Sequence, residues 1–548
     1  MPEAPSPSNE LDAGPSLPRP PETAARPASS WPLIAVVALV AVAIAGAFAF
    51  RAWQKRQKLH AAARVAAAAL ARDSYGGFRD ADLALRDMVG PLSPEHHLAL
   101  ERAYALAQLD ARYGDDQAGV EAKLLTGPIE IAVDKGDLTL APEDLSRLYA
   151  ADALVALGDK APGDAIVSLG KVPDDQSSPE ILVVKARADA LDENEALAKA
   201  ALDRALQGAP DSPEVLQLAA EVARASHRPA DAVALYQRIL AKNPTHVPSL
   251  LALAELAVDG QGDPQAAAAG IDRILPSLPA EGSPDEQCRA LLALVRLDLR
   301  QGHSVTAPAH LDRAADLEDA PASCQIALAR LDQRLGRGEE ALALLKKAAE
   351  DDDPGEAPLA LAEATDDPRT ALKLSQTPEP PDLSIAQKNA WEARAAGVAV
   401  RADLALGQRK AAAALADALS VESVPGMLGT ARLRHGLGER YAATRAMADA
   451  LRLAHASADP GDDLADVGEA ALALDSFAVA RDACDAAAAA GAGNFRALVC
   501  AARALHALGK NDDARQRLDQ AMLVNPGATG IDTLRSALEP PAPPGAAP

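Results

Sequence analysis

The chain is poor in aromatic residues, poor in cysteine, and carries no recognisable catalytic motif. Only 3% of its 548 residues are Phe, Trp or Tyr, and its formal net charge is −24. Few rings are available to stack on bases, and the negative field repels phosphate, so nucleic acid is not expected as a partner. Four cysteines in a chain of this length cannot build a disulfide framework. The histidines are scattered, and the adjacent His96 and His97 point to different faces of a helix, so they cannot chelate as an i, i+4 pair would. His-Glu-x-x-His, Gly-x-Ser-x-Gly and the phosphate-binding Gly-x-x-x-x-Gly-Lys-Ser/Thr pattern are missing. The acidic runs, such as Asp351-Asp352-Asp353, lack the glycine and terminal Glu of a calcium loop. No catalytic residue, cofactor or metal is expected, and the chain reads as non-enzymatic.

What is abundant is alanine, about 130 residues, far above ordinary usage. Alanine favours helix, and the β-branched and aromatic enrichment of strands is missing, so the fold class is all-α. Residues 1–30 are rich in Pro, Ser, Ala and Glu and read as a disordered tail; residues 539–548 read the same way. Trp31 to Phe50 contains no charge and has the length of a transmembrane helix. Trp31 and Trp53 bracket it, and Arg51, Lys55, Arg56 and Lys58 follow it. One transmembrane helix at 31–50 is therefore expected, with lipid bilayer contact there and a basic helical stalk over 51–92, broken at Gly76-Gly77. A cleaved signal peptide is the alternative. The basic residues after the span favour a cytoplasmic C-terminal part, although long domains translocate regardless of charge.

The remaining 93–538 is periodic. Ser178-Pro179-Glu180 recurs 34 residues on as Ser212-Pro213-Glu214, and Pro210 recurs as Pro244. Ser, Pro and Glu in that order start a helix: a capping hydroxyl, a proline suited to the first turn, and an acid at the positive dipole end. Before Pro210 lie Ala186, Ala198, Leu202 and Ala205. Before Pro244, at the same offsets, lie Ala220, Ala232, Tyr236 and Ile239. Before Pro526 lie Ala502, Gly509, Ala514, Leu518 and Ala521. Ala329, Gly336, Ala341, Leu345 and Ala348 repeat the same order, and Ala480, Cys484 and Ala487 do so in part. Small residues let two helices approach, a large one fills the gap beside them, and proline stops the second helix.

This unit resembles the tetratricopeptide repeat (TPR), two antiparallel helices in 34 residues. The resemblance implies a TPR-like α-solenoid of about ten to twelve helix pairs over 93–538, with a generic α-solenoid of irregular pairs as the structural alternative. It also implies a concave groove that binds protein partners, here basic or neutral ones, and thus a membrane-anchored bacterial scaffold or adaptor. Two other readings stay open: an envelope factor, with the solenoid translocated, that assists secretion, folding or assembly of exported proteins, and a regulatory subunit of an enzyme complex. The paired cysteines of some membrane-anchored TPR proteins are lacking. Cys288, Cys324, Cys484 and Cys500 are isolated and expected as free thiols; Cys484 and Cys500 fall in neighbouring repeats, so a bond between them stays open.

Overall fold

The computed structural model describes residues 31–538 except 91–92, 174–176, 302, 304–305, 318–319, 351–354, 381–382, 420–422, 458–459, 492 and 529–530, and the side chains of 31–38, 41, 386 and 417. Both terminal tails lie outside the described residues. The chain divides into two units, Met1–Ala62 and Ala63–Pro548.

The first unit holds most of one long helix, α1 (Trp31–Leu70). Here the sequence expectation is corrected. Among the described residues no helix is long and apolar enough to cross a membrane, so the single transmembrane helix expected at 31–50 is not supported, nor is bilayer contact there. One helix runs from Trp31 through Arg51, Lys55, Arg56 and Lys58 to Leu70. Arg51, Trp53, Lys55, Arg56 and Lys58 are all exposed, and Trp53 stacks on Phe50.

The second unit is a solenoid. It begins with α2 (Tyr75–Arg86), and twelve antiparallel helix pairs follow among the described residues. The first six are α3 (His96–Tyr113) with α4 (Asp116–Asp134), α5 (Pro142–Gly158) with α6 (Pro162–Leu169), α7 (Pro179–Leu191) with α8 (Glu195–Gly208), α9 (Pro213–Ala225) with α10 (Pro229–Lys242), α11 (Val247–Val258) with α12 (Pro264–Ile274), and, after the single turn α13 (Leu278–Glu281), α14 (Pro284–Gln301) with α15 (Thr306–Ala315). The last six are α16 (Ala322–Arg334) with α17 (Gly338–Glu350), α18 (Glu356–Ala364) with α19 (Pro368–Leu374), α20 (Ile385–Ala405) with α21 (Arg409–Ala414), α22 (Val424–Gly436) with α23 (Arg440–His455), α24 (Pro460–Ala473) with α25 (Phe477–Ala490), and α26 (Phe495–Ala507) with α27 (Asn511–Val524). The short α28 (Asp532–Leu538) packs on α27. First helices stack on first helices, α3 on α5, α5 on α7, α7 on α9, and then from α11 on α14 through to α24 on α26.

Local chemistry sets these boundaries. The hydroxyl of Ser178 accepts the Ile181 N–H at 3.3 Å, and Pro179 opens the helix. Ser384 and Gln387 close a capping box. Gly336, Gly438 and Gly509 turn between paired helices at φ of 78°, 87° and 77°, where a side chain would strain the backbone. Alanines hold the close approaches: Ala329, Ala341 and Ala348 have no exposed surface. The architecture is therefore a TPR-like helical solenoid.

Candidate functional site: charge pairs across the first helices

Arginines and carboxylates on successive first helices pair across the stack. Glu255 of α11 accepts from Arg224 of α9 at 2.9 Å and from the Nε of Arg289 of α14 at 2.9 Å. Glu356 of α18 lies between Arg330 of α16, at 3.3 Å, and Arg394 of α20, at 3.0 Å. Arg394 also holds Glu363 at 2.8 Å, and Arg401 donates to the Ala362 carbonyl at 2.7 Å, near the end of α18. On α26, Arg496 holds Asp466 at 2.7 Å and Glu469 at 2.5 Å, both from α24. These partners are some 26 to 39 residues apart in sequence because one repeat separates them. Each half-exposed pair contributes at most about 1 kcal/mol, so the ladder is better suited to recognition than to holding the fold. Arg224, Glu255, Asp259, Arg289 and Arg296 line a cleft of about 400 Å³ on this face.

In the N-terminal half the first helices meet around a closed interior. The join between α1 and α2 enters it. Asp73 pairs with Arg112 of α3, and its Oδ2 lies 3.7 Å from the Nε2 of His246, the N-cap of α11. Arg72 reaches Glu281 of α13 at 2.5 Å, and the Ser74 hydroxyl donates to the same carboxylate at 2.9 Å. A Cβ on Gly76 would overlap the Ala280 carbonyl oxygen and the Glu281 Cα. The Gly76-Gly77 pair therefore does not break a helix, as its sequence suggested. It lies within α2 and lets that helix press against backbone. Gln108 of α3 donates to the Tyr104 hydroxyl at 2.8 Å, and Tyr104 faces Glu214 of α9 at 3.4 Å.

Burial shapes the titration of this interior. Burial alone would raise the Asp73 carboxyl, but the Arg112 guanidinium and His246 outweigh it and hold it down at about 2. Glu214 has no such neighbour in contact. Burial, followed by the charge of Asp73, pushes it up to about 7 against the pull of Arg187 and Arg112. Burial also raises Glu286 of α14, although its carboxylate accepts the Ser283 N–H at 3.0 Å.

The C-terminal pairs fold back on the middle of the solenoid. Arg334 at the end of α16 pairs with Asp462 of α24 at 2.8 Å, and the Asn525 amide donates to the Leu335 carbonyl at 2.8 Å. Phe495 lies over Gly336, where a Cβ would collide with its ring.

The repeat residues picked from sequence fall as follows. Ala186, Ala205, Ala220, Ala232, Ala329, Ala341, Ala348, Ala502, Ala514 and Ala521 are buried, as are Tyr236 and Leu518; Ala198 is half-buried. Pro210, Pro244 and Pro526 each sit in the turn just after a second helix. Tyr104, Tyr149 and Tyr236 are buried, and Tyr441 is 85% exposed. No group of side chains able to hold a metal ion occurs among the described residues.

The cysteines differ from expectation. Cys288 on α14 bonds Cys324 on α16, and Cys484 on α25 bonds Cys500 on α26, with Cα atoms 6.1 and 5.9 Å apart. Both spacings suit a disulfide. In sequence the members of each pair are 36 and 16 residues apart, and only the stacking of neighbouring repeats brings them together. Gly468 of α24 leaves the space that the second bond fills. The charge ladder was also missed from sequence. Its sequence signal is an Arg or Glu recurring about one repeat apart on the first helices.

No family model matches the chain, and no curated protein matches it. Among solved structures it is similar to the human IFIT1 dimer with m7Gppp-AAAA, at 14% identity over 82% of this chain and 94% of that one, with a TM-score of 0.33. It is also similar to the APC/C hetero-tetramer Cut9-Hcn1, at 13% identity over 84% and 94%, with a TM-score of 0.34. TM-scores this low transfer neither ligand nor partner to this chain.

Proposed function

We propose that the chain is a non-enzymatic scaffold that binds protein partners on the inner faces of its first helices. The observation that carries this reading is the Arg–carboxylate ladder across the stack, which offers both signs of charge at repeat spacing. A protein chain laid along it meets a patterned surface, which favours specificity over raw affinity. Site-specific photocrosslinking tests it. A crosslinker at Arg330 or Arg503, on first helices, is expected to give discrete protein adducts. One at Leu197 or Tyr441, exposed on second helices, is expected to give none. Equal adducts from both faces would overturn the reading.

A second reading concerns place, and the disulfides favour it. All four cysteines pair, with none left free. Disulfides persist in oxidising compartments and are uncommon in the cytosol. The partners are then exported proteins, whose assembly or folding the solenoid assists. Thiol labelling of the native protein, quenched in acid, tests this: no free thiol is expected, and four labelled cysteines would reject it.

A further inference from the structure

A second cleft opens where the first helix pair meets the second. It holds about 460 Å³ and is lined by Asp110 near the end of α3, by Asp116, Gly119 and Val120 of α4, and by Gly158 and Asp159 at the end of α5. Asp110 is 4% exposed, and its Oδ2 is buried with no hydrogen-bond partner among the described residues. Glycines make the room it fills: a Cβ on Gly119 or Gly158 would come within 2.4 or 2.6 Å of that oxygen. A buried carboxylate oxygen left unpaired costs free energy until a donor reaches it. The cleft is also short of positive charge. Asp110, Asp115, Asp116 and Asp159 act there against Lys123 and Lys160, and Lys123 is taken by Asp159 at 2.7 Å. Burial, then the charges of Asp159 and Asp116, hold the Asp110 carboxyl up at about 6 against the pull of Lys123. No group of side chains among the described residues can hold a metal ion, so the missing donor is an organic cation, an ammonium or a guanidinium.

An apolar strip leads away from this cleft along α4. Val120, Leu124 and Ile131 are 59%, 59% and 54% exposed, and at about 100° per residue they fall within about 40° of one another around the helix. Gly127 lies between them, and a Cβ there would meet nothing within 4 Å. Asp116, exposed on the rim of the cleft, stands at the N-terminal end of the strip. From Asp116 to Ile131 the strip runs about 22 Å, or about four turns of helix.

We propose that the exposed face of α4 is a docking strip for a basic amphipathic helix of a protein partner, one Lys or Arg of which enters the cleft and meets Asp110. The apolar side of such a helix covers Val120, Leu124 and Ile131, and the stem of its basic residue passes along Val120 to the acids. Charge complementarity with a chain of net charge −24 selects a basic partner. The strip belongs to a second helix and is separate from the charge ladder on the first helices. Neither Leu197 nor Tyr441 lies on α4, so this proposal and the scaffold reading fail separately.

The test uses the full chain and a fluorescent helical peptide of about 18 residues, built of Leu and Lys with the leucines on one face. Its binding is followed by anisotropy. Leu124→Gln and Ile131→Gln, both at exposed positions, and Asp110→Asn are each expected to weaken binding at least about fivefold. Glu339→Gln, at an exposed acid on α17, is expected to leave it unchanged. Should Asp110→Asn not fold, Asp116→Asn on the rim takes its place. No binding to the parent chain overturns the proposal. So does binding that Leu124→Gln and Asp110→Asn leave intact, or that Glu339→Gln weakens equally, since that is general attraction to an acidic chain. A butanediamine that binds only while Asp110 is present, with a peptide indifferent to Leu124→Gln, also overturns it, because the cleft then takes a small amine rather than a partner helix.

Discussion

Two regions of the solenoid use charge in opposite ways. In the N-terminal half, ionisable groups are buried where α3, α7, α9, α11 and α14 meet, and the 72–77 segment closes over them. Along the ladder, from Arg224, Glu255 and Arg289 on α9, α11 and α14 to Arg330 and Glu356 on α16 and α18, arginines and carboxylates stay at the surface, with side chains 27% to 54% exposed. The same repeat thus serves two ends. Where first helices converge, an ion pair loses its water and must be complete; where they stay apart, water remains and pairs are individually weak.

The largest effect expected from breaking this contrast comes from Arg112→Met. It strands the buried Asp73 carboxylate and should cost about 3–5 kcal/mol in urea denaturation. Next is loss of a disulfide. Cys324→Ser or Cys500→Ser should each cost about 2–4 kcal/mol, and a reductant should lower the Tm of the parent but not of the double variant. Ala502→Trp, at a position with no exposed surface, should wedge α26 from α27 at about 1–3 kcal/mol; an unchanged melting profile would contradict the repeat frame. The smallest effect is expected for Arg330→Ala, at about 0–1 kcal/mol. If Arg330→Ala cost as much as Arg112→Met, the contrast between the buried group and the ladder would fall.

A pH series sharpens it further. Glu214 stays neutral in the folded chain up to about 7, whereas unfolded it ionises near 4.5. The folded state therefore holds the extra proton, and stability should fall as pH rises from about 4.5 to 7 and then level off. Asp73 has the opposite sign: its stabilisation is present above 3.8 and is lost as pH falls through about 2. Thermal melts at pH 5 and 8 should show a smaller Tm difference for Glu214→Gln than for the parent.

Much of the repeat was legible in the chain. First helices α7, α9 and α11 begin at Pro179, Pro213 and Val247, 34 residues apart, and the first two starts were readable because serine and proline act locally. The alanines and turn glycines were readable because one period repeats them. The inner-face pairs were not, since each joins residues on different repeats. The cysteine pairs were hidden for the same reason: residues isolated in sequence meet only through the stacking of neighbouring repeats. Gly76-Gly77 misled because a glycine needed for close approach looks like one needed for a turn.

By itself, then, the sequence determined the helices, their starts and stops, the small residues between partners and the period of the stack, because capping, propensity and close approach depend on residues near one another. Tertiary structure alone decided which arginine meets which carboxylate, which cysteines bond, and that Asp73 fills the N-terminal interior. Those outcomes depend on how far each helix pair rotates on the next, and that rotation is set by the packing of whole surfaces rather than by any single position.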